Sequence, residues 1–215
     1  MPIMSAKLCA RAAARLDRMD RSSSMERNIA QIALFAAMIA ALGLVPQITL
    51  GFGVPITAQT LGVMLAGAVL GARRGAAAAA LFLLLVALGL PLLAGGRGGL
   101  GAFVAPTAGF ALGFPVAAFA TGLFVEHVRL RSAGLAAGLG AVFGGIAVLY
   151  VFGATGLAIV AQKSLLEAFT LVAVFIPGDL LKAAITGMLV QALARVRPQT
   201  LAWHHQAAGS GERRL

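Results

Sequence analysis

The sequence predicts an all-α integral membrane protein with six transmembrane helices and both termini cytoplasmic. Three observations lead there. First, 60% of the residues are hydrophobic and only 11% are charged, against about 25% charged in a soluble domain. Second, the apolar residues gather into six runs, near 28–46, 54–71, 75–94, 105–125, 133–160 and 168–194, and a span needs about 20 residues. Third, the basic residues are one-sided. Fourteen Lys and Arg fall on the side shared by the two termini and the 71–75 and 126–132 loops. Only Arg97 and Lys163 fall on the other side. Positive charge accumulates on cytoplasmic loops, which places both termini inside. The same bias accounts for the net charge of +10 without a nucleic-acid partner.

Three segments follow: a basic cytoplasmic tail over 1–27, a six-helix membrane domain over 28–194 and a polar cytoplasmic tail over 195–215. No apolar core follows the N-terminal charges before Asn28, so the tail is not a cleaved signal peptide. Met25 offers an alternative start. In the first run, Ala33, Ala37 and Ala41 recur every four residues, with Ala36 and Ala40 as a second row. Such a stripe permits close helix contact, either within the protein or with another membrane protein. The second run is barely long enough to span, and the fifth is long enough to tilt. Pro91, Pro106 and Pro115 bend or break the third and fourth spans, and Pro177 is expected to kink the sixth. Gly67/Gly71, Gly109/Gly113 and Gly140/Gly144 are read as internal packing pairs. The C-terminal tail is expected to be loose.

The candidate chemistry begins with Asp179 and Lys182 in the sixth run. Three residues apart, they share a helix face. Each charge costs roughly 2.5–3.5 kcal/mol at the bilayer centre on insertion scales. They are read as the polar floor of a small-molecule site, with a purely structural ion pair as the alternative. The loop Gly95-Gly96-Arg97-Gly98-Gly99-Leu100-Gly101 formally contains GxGxxG. No strand precedes it and the charge count puts it outside the cell, so a nucleotide role is rejected. It reads instead as a flexible lid whose Arg97 can grip a carboxylate, or as an ordinary glycine loop. Gln59, a buried amide, can bind an amide-like ligand or tie two helices together. The hydroxyls of Thr57 and Thr60 can be spent on their own helix. Tyr150 sits mid-span and needs a partner for its hydroxyl.

Several classes are excluded. No P-loop is present, because none of Lys7, Lys163 and Lys182 follows the required glycines. There is no GxSxG, and none of His127, His204 and His205 lies in an apolar run. The lone Cys9 rules out an internal disulfide and a cysteine metal cluster. No enzyme activity, catalytic residue, metal site or cofactor is expected.

Val54-Pro55-Ile56-Thr57-Ala58-Gln59-Thr60-Leu61 followed by Leu65-Ala66-Gly67-Ala68-Val69-Leu70-Gly71 resembles the second helix of BioY proteins. These are the biotin-specific substrate-binding (S) components of energy-coupling factor (ECF) transporters. Gly89-Leu90-Pro91, the glycine loop, Pro106-Thr107-Ala108-Gly109-Phe110 and Ile176-Pro177-Gly178-Asp179-Leu180-Leu181-Lys182 continue the resemblance, which runs from about Asn28 to Leu193. It implies a six-helix S-component fold in a prokaryotic plasma membrane, with an outward-facing vitamin pocket. It also implies docking on a transmembrane T component coupled to two ATPase subunits, through the stripe of Ala33, Ala37 and Ala41. Ligand contacts map onto Gln59, Arg97, Asp179 and Lys182, with Phe103, Phe110 and Tyr150 as candidates to line the apolar part. Biotin fits that chemistry. Asp179 can accept a ureido N–H, Lys182 or Gln59 can donate to the ureido carbonyl, and Arg97 can hold the valerate carboxylate. The reverse orientation would put the carboxylate on Lys182. The alternatives are an S component for another vitamin, a biotin transporter working without the ATPase module, and a lipid-modifying membrane enzyme.

Overall fold

The computed structural model describes residues 24–49, 55–128, 130–201 and 203. Residues 1–23 of the expected N-terminal tail, 202 and 204–215 of the expected C-terminal tail, Arg129 and residues 50–54, which end on the first residue of the second apolar run, lie outside them.

The first span, α1, runs from Ser24 to Leu42. Ala36 and Ile39 turn inward and are buried, while Ala33, Ala37 and Ala41 are exposed. The helix ends at Gly43, where a Cβ would strike the Leu92 carbonyl oxygen and the Gln59 side-chain nitrogen. A two-residue antiparallel ladder follows, β1 (Ile48–Thr49) against β2 (Pro55–Ile56), with Ile48 opposite Ile56.

Helix α2 covers Gln59–Leu70 and buries all of its residues but one. Twelve residues rise only about 18 Å, short of the ~30 Å hydrocarbon core. The central helix is thus sheathed by its neighbours rather than by lipid. Gly71, with φ of +80°, reverses the chain into α3 (Ala72–Ala87). Positive φ is a conformation that glycine adopts without steric penalty. The first amide of α3, Ala72 N–H, donates to Glu126 Oε1 at 2.8 Å, which satisfies one of the unpaired donors of a helix start.

Helix α4 spans Ala108–His127 and stays continuous through Pro115, so the bend or break expected there is not a helix end. Pro91 and Pro106 do lie outside helices, on either side of the α3–α4 loop. The fifth run is helical from α5 (Ala133–Val142) through one π-helical stretch, Phe143–Val148, into α6 (Leu149–Val160). The glycine pairs pack internally, as expected. A Cβ on Gly67 would hit the Ala118 carbonyl, one on Gly109 would hit the Gly156 backbone, and one on Gly144 would hit Thr121. Lipid offers helices no hydrophobic drive to associate, so this close backbone approach supplies the van der Waals contact.

The sixth run departs from its expected form. It is two helices, α7 (Leu165–Ala173) and α8 (Ile176–Val196). Pro177 does not kink a continuous helix. It occupies the first turn of α8, where the missing N–H would have no intrahelical partner. α7 starts at a capping box in which Ser164 and Glu167 satisfy each other's backbone amides.

Four helical segments are long and apolar enough to cross a membrane: Ser24–Leu42, Ala108–His127, Ala133–Val160 and Ile176–Val196. With the shorter α2 and α3, six hydrophobic segments build the bundle. The start of the C-terminal tail is docked, not loose. Leu201 is fully buried, and Trp203 Nε1 donates to the Ala68 carbonyl at 2.8 Å, capping the end of α2. Arg27 donates to the Gln199 carbonyl at 3.3 Å, joining the tail to the start of α1.

Candidate functional site: a polar cluster beneath a membrane cavity

The break between α7 and α8 decides where Asp179 sits. It places the carboxylate in the first turn of a new helix, at the end whose dipole favours negative charge. A helix interrupted inside a membrane exposes such a terminus at depth, as transporters do at their binding sites. Asp179 is 4% exposed and its oxygens are well partnered. Oδ1 accepts from Lys182 Nζ at 2.7 Å and from Thr60 Oγ1 at 3.3 Å. Oδ2 accepts from the Tyr150 hydroxyl at 2.6 Å. Thr60 Oγ1 in turn accepts from Lys182 Nζ at 2.9 Å. The four side chains come from α2, α6 and α8. An ammonium has three donors, and two of those on Lys182 are accounted for.

This cluster forms one side of a cavity with about 580 Å³ of space between atoms, its mouth included. Phe110 and Phe175 form an apolar wall, their rings edge-on with centroids 6.3 Å apart. Leu93, Ala94 and Arg97 arrive from the α3–α4 loop, and Thr107 from the cap position of α4. The loop is not a slack lid. Leu93 and Arg97 pair backbone to backbone at 3.0 and 3.2 Å, and Gly95, Gly96 and Gly99 all take positive φ, so the turn closes on itself. Arg97 Nε donates to the Ala94 carbonyl at 3.2 Å and Nη1 to Thr107 Oγ1 at 3.0 Å. The side chain is therefore held at the cavity wall before any ligand arrives.

Gln59 lines the same cavity, with its polar atoms engaged by backbone. Nε2 donates to the Ile39 carbonyl at 3.3 Å and the Leu92 carbonyl at 3.0 Å, while Oε1 accepts from Ala94 N–H at 3.0 Å. One amide thus ties α1, α2 and the glycine loop together. Gly43 makes room for it, since any Cβ there would displace the Gln59 side chain.

Of the sequence-predicted residues, Gln59, Arg97, Asp179 and Lys182 surround one cavity. Tyr150 stands behind Asp179, and its ring meets Phe110 edge-on with centroids 6.2 Å apart. Phe103 belongs to a short 3₁₀ turn, Leu100–Phe103, and packs on the hydrophobic core rather than on the cavity. The Thr60 hydroxyl, which could have been spent on its own helix, bonds across to Asp179 and Lys182 of α8. Phe175 and Thr107 were not singled out. The sequence signal for Phe175 was its place just before the Pro177 break, where a helix start projects inward.

A match to the BioY family model covers residues 15–199. The chain belongs to the BioY family. It is 56% identical over 186 residues to the biotin transporter BioY of Rhodobacter capsulatus, covering 82% of this chain and 98% of that protein. It is 54% identical over 173 residues to the biotin transporter BioY of Rhizobium etli, covering 78% and 92%. In structure it is similar to the crystallised S-component for biotin from an ECF-type ABC transporter, with a TM-score of 0.75 and 30% identity over 80% of this chain and 93% of that one. That likeness accounts for the all-helical bundle.

Proposed function

We propose that this membrane protein binds biotin in the Asp179–Arg97 cavity and delivers it across the plasma membrane as the substrate-specific component of an ECF-type transporter. It acts as a transporter component, not an enzyme. The observation that carries the reading is the hydrogen-bonded Asp179–Lys182–Thr60 cluster beneath an otherwise largely apolar cavity, in a chain 56% identical to a biotin transporter. A mostly apolar pocket with a few placed polar groups is the usual design for a small ligand.

The ureido ring lies on the cluster. One ureido N–H gives to Asp179, and the carbonyl takes the third donor of Lys182. Gln59 shapes the wall and holds the Ala94 backbone, since both its donors are already engaged. The Phe110–Phe175 wall receives the bicycle, and the valerate carboxylate meets Arg97. Both termini face the cytoplasm, where a T component and two ATPases supply the energy. The outward face of Ala33, Ala37 and Ala41 is available for that docking, because all three residues are exposed.

The test is biotin binding by isothermal titration with purified protein. Wild type binds biotin in preference to thiamin, and Asp179→Asn and Lys182→Ala each weaken it. Unchanged binding in both variants overturns the site. Preference for another vitamin overturns the ligand. Uptake that persists in cells lacking the ATPases overturns the dependence on an energising module.

A further inference from the structure

A second concavity lies on the outside of the bundle, between α5 and α8, apart from the biotin cavity. Ser132 at the start of α5 bonds Gln191 near the end of α8, and Gly138 faces the backbone of Ala183 and Gly187, so the helices run antiparallel. The groove and the open space at its mouth together hold about 1060 Å³. Its floor is Gly138, Ala183 and Gly187. Leu135, at 62% exposure, and Met188, at 63%, stand at its walls. A Cβ on Gly138 would meet the Ala183 carbonyl at 3.6 Å and the Gly187 Cα at 3.9 Å, both ordinary contacts, so the floor has room at Gly138.

The length of the groove suits a lipid chain. From Ser132 to Val142 the helix rises about 15 Å, half of the ~30 Å hydrocarbon core, which is one leaflet. The ends differ. One is wholly apolar, with Val142 and Leu180; the other carries Ser132, Gln191 and Arg195.

What remains unpaired at the polar end is donors. Gln191 Oε1 is taken by Ser132 Oγ and Gly134 N–H, each at 2.8 Å. The Gln191 Nε2 amide and the Arg195 guanidinium have no partner among the described residues. Three carboxylates among the described residues are already engaged. Glu126 serves Ala72, Glu167 its capping box and Asp179 the cavity cluster. A leftover set of donors with one positive charge selects an anion, and basic pockets between membrane helices hold anionic headgroups. A second copy of this chain would fill the apolar part of the groove. In a symmetric pair it would also set Arg195 against Arg195 and leave both without acceptors.

We infer that the α5–α8 groove is a binding site for one anionic phospholipid. The phosphate sits between Gln191 Nε2 and Arg195, and one acyl chain lies over Gly138 and Gly187.

Native mass spectrometry of the full-length protein, released from detergent with phosphatidylglycerol or phosphatidylcholine of equal chain length, tests this. Wild type keeps one phosphatidylglycerol with roughly fivefold preference, the size of one basic side chain's effect at an anionic surface. Arg195→Ala abolishes the preference and Arg195→Lys retains most of it. Gly138→Leu fills the floor and sheds both lipids. Biotin affinity is the same in all of them, which separates this site from the vitamin cavity. Equal retention of the two lipids by wild type overturns the proposal, as does a preference that survives Arg195→Ala. A lipid-free dimer that Gly138→Leu dissolves also overturns it.

Discussion

Whether the Asp179–Lys182 pair binds ligand or only joins helices can be separated by a double-mutant cycle. The pair is close, 2.7 Å, and nearly dry, with the side chains 6% and 15% exposed. Lys182→Met alone leaves Asp179 with Thr60 and Tyr150 but no cation. Asp179→Asn alone leaves an ammonium with no counter-charge. Removing one partner of a buried pair destabilises by about 3–5 kcal/mol, whereas replacing both is often close to neutral. The partial exposure of Lys182 places the single variants toward the lower figure. Thermal unfolding in detergent therefore drops in each single variant and recovers in Asp179→Asn/Lys182→Met. Biotin binding behaves differently. Each charge-assisted hydrogen bond to ligand is worth about 1.5–3 kcal/mol, so each single variant weakens biotin by at least about tenfold. The double variant folds but does not regain affinity. A double variant that recovers both stability and wild-type affinity refutes the reasoning, because the pair would then be structural only.

Three further outcomes follow from the same geometry. Arg97→Ala weakens biotin by about tenfold, within the range for a hydrogen bond to a charged group, and leaves biotin methyl ester unaffected in competition titrations; equal loss for both would remove Arg97 from the carboxylate. Gln59→Leu strands the Ile39 and Leu92 carbonyls and the Ala94 amide, at about 1–3 kcal/mol for each buried group left unpaired. It should lower the melting temperature more than any change at Phe103, as scanning fluorimetry would report. The Glu167 carboxyl is held below its ordinary value by hydrogen bonds from the Ser164 backbone and hydroxyl. Its cap is fully present above the ordinary carboxylate range and is lost as pH falls through that depressed value. Hydrogen exchange at the start of α7 should accelerate in that acid window for wild type and stay pH-independent in Glu167→Gln, after correction for intrinsic exchange.

Much of the fold was legible because membrane burial leaves a coarse, local record. Six apolar runs and the one-sided basic residues need no knowledge of which helix touches which. The polar cluster was half legible for the same reason: Asp179 and Lys182 are costly wherever they point, so their presence alone called for an explanation. Their third and fourth members were not. Thr60 and Tyr150 lie 119 and 29 residues from Asp179, and a hydroxyl has cheap partners on its own helix, so its sequence context does not say which one it takes. Phe103 and Phe110 show the same limit from the apolar side. Both are aromatic and lie seven residues apart, yet a 3₁₀ turn sends one into the core while α4 turns the other toward the cavity.

By itself the sequence determined the membrane class, the number of apolar segments, the chemistry to be found at depth and the absence of a P-loop within the chain. Those depend on composition and on charge cost, which each residue carries with it. Only the tertiary structure decided that the last segment is two helices. Pro177 is compatible with a kink or with a first turn, and packing chose the latter, setting a helix start against Asp179. Tertiary contact also decided that Gln59 is occupied by backbone, that Ala33, Ala37 and Ala41 face outward, and that three side chains from three helices meet around the Asp179 carboxylate. Hydrogen-bond partners are chosen in three dimensions, among groups that the chain order keeps far apart.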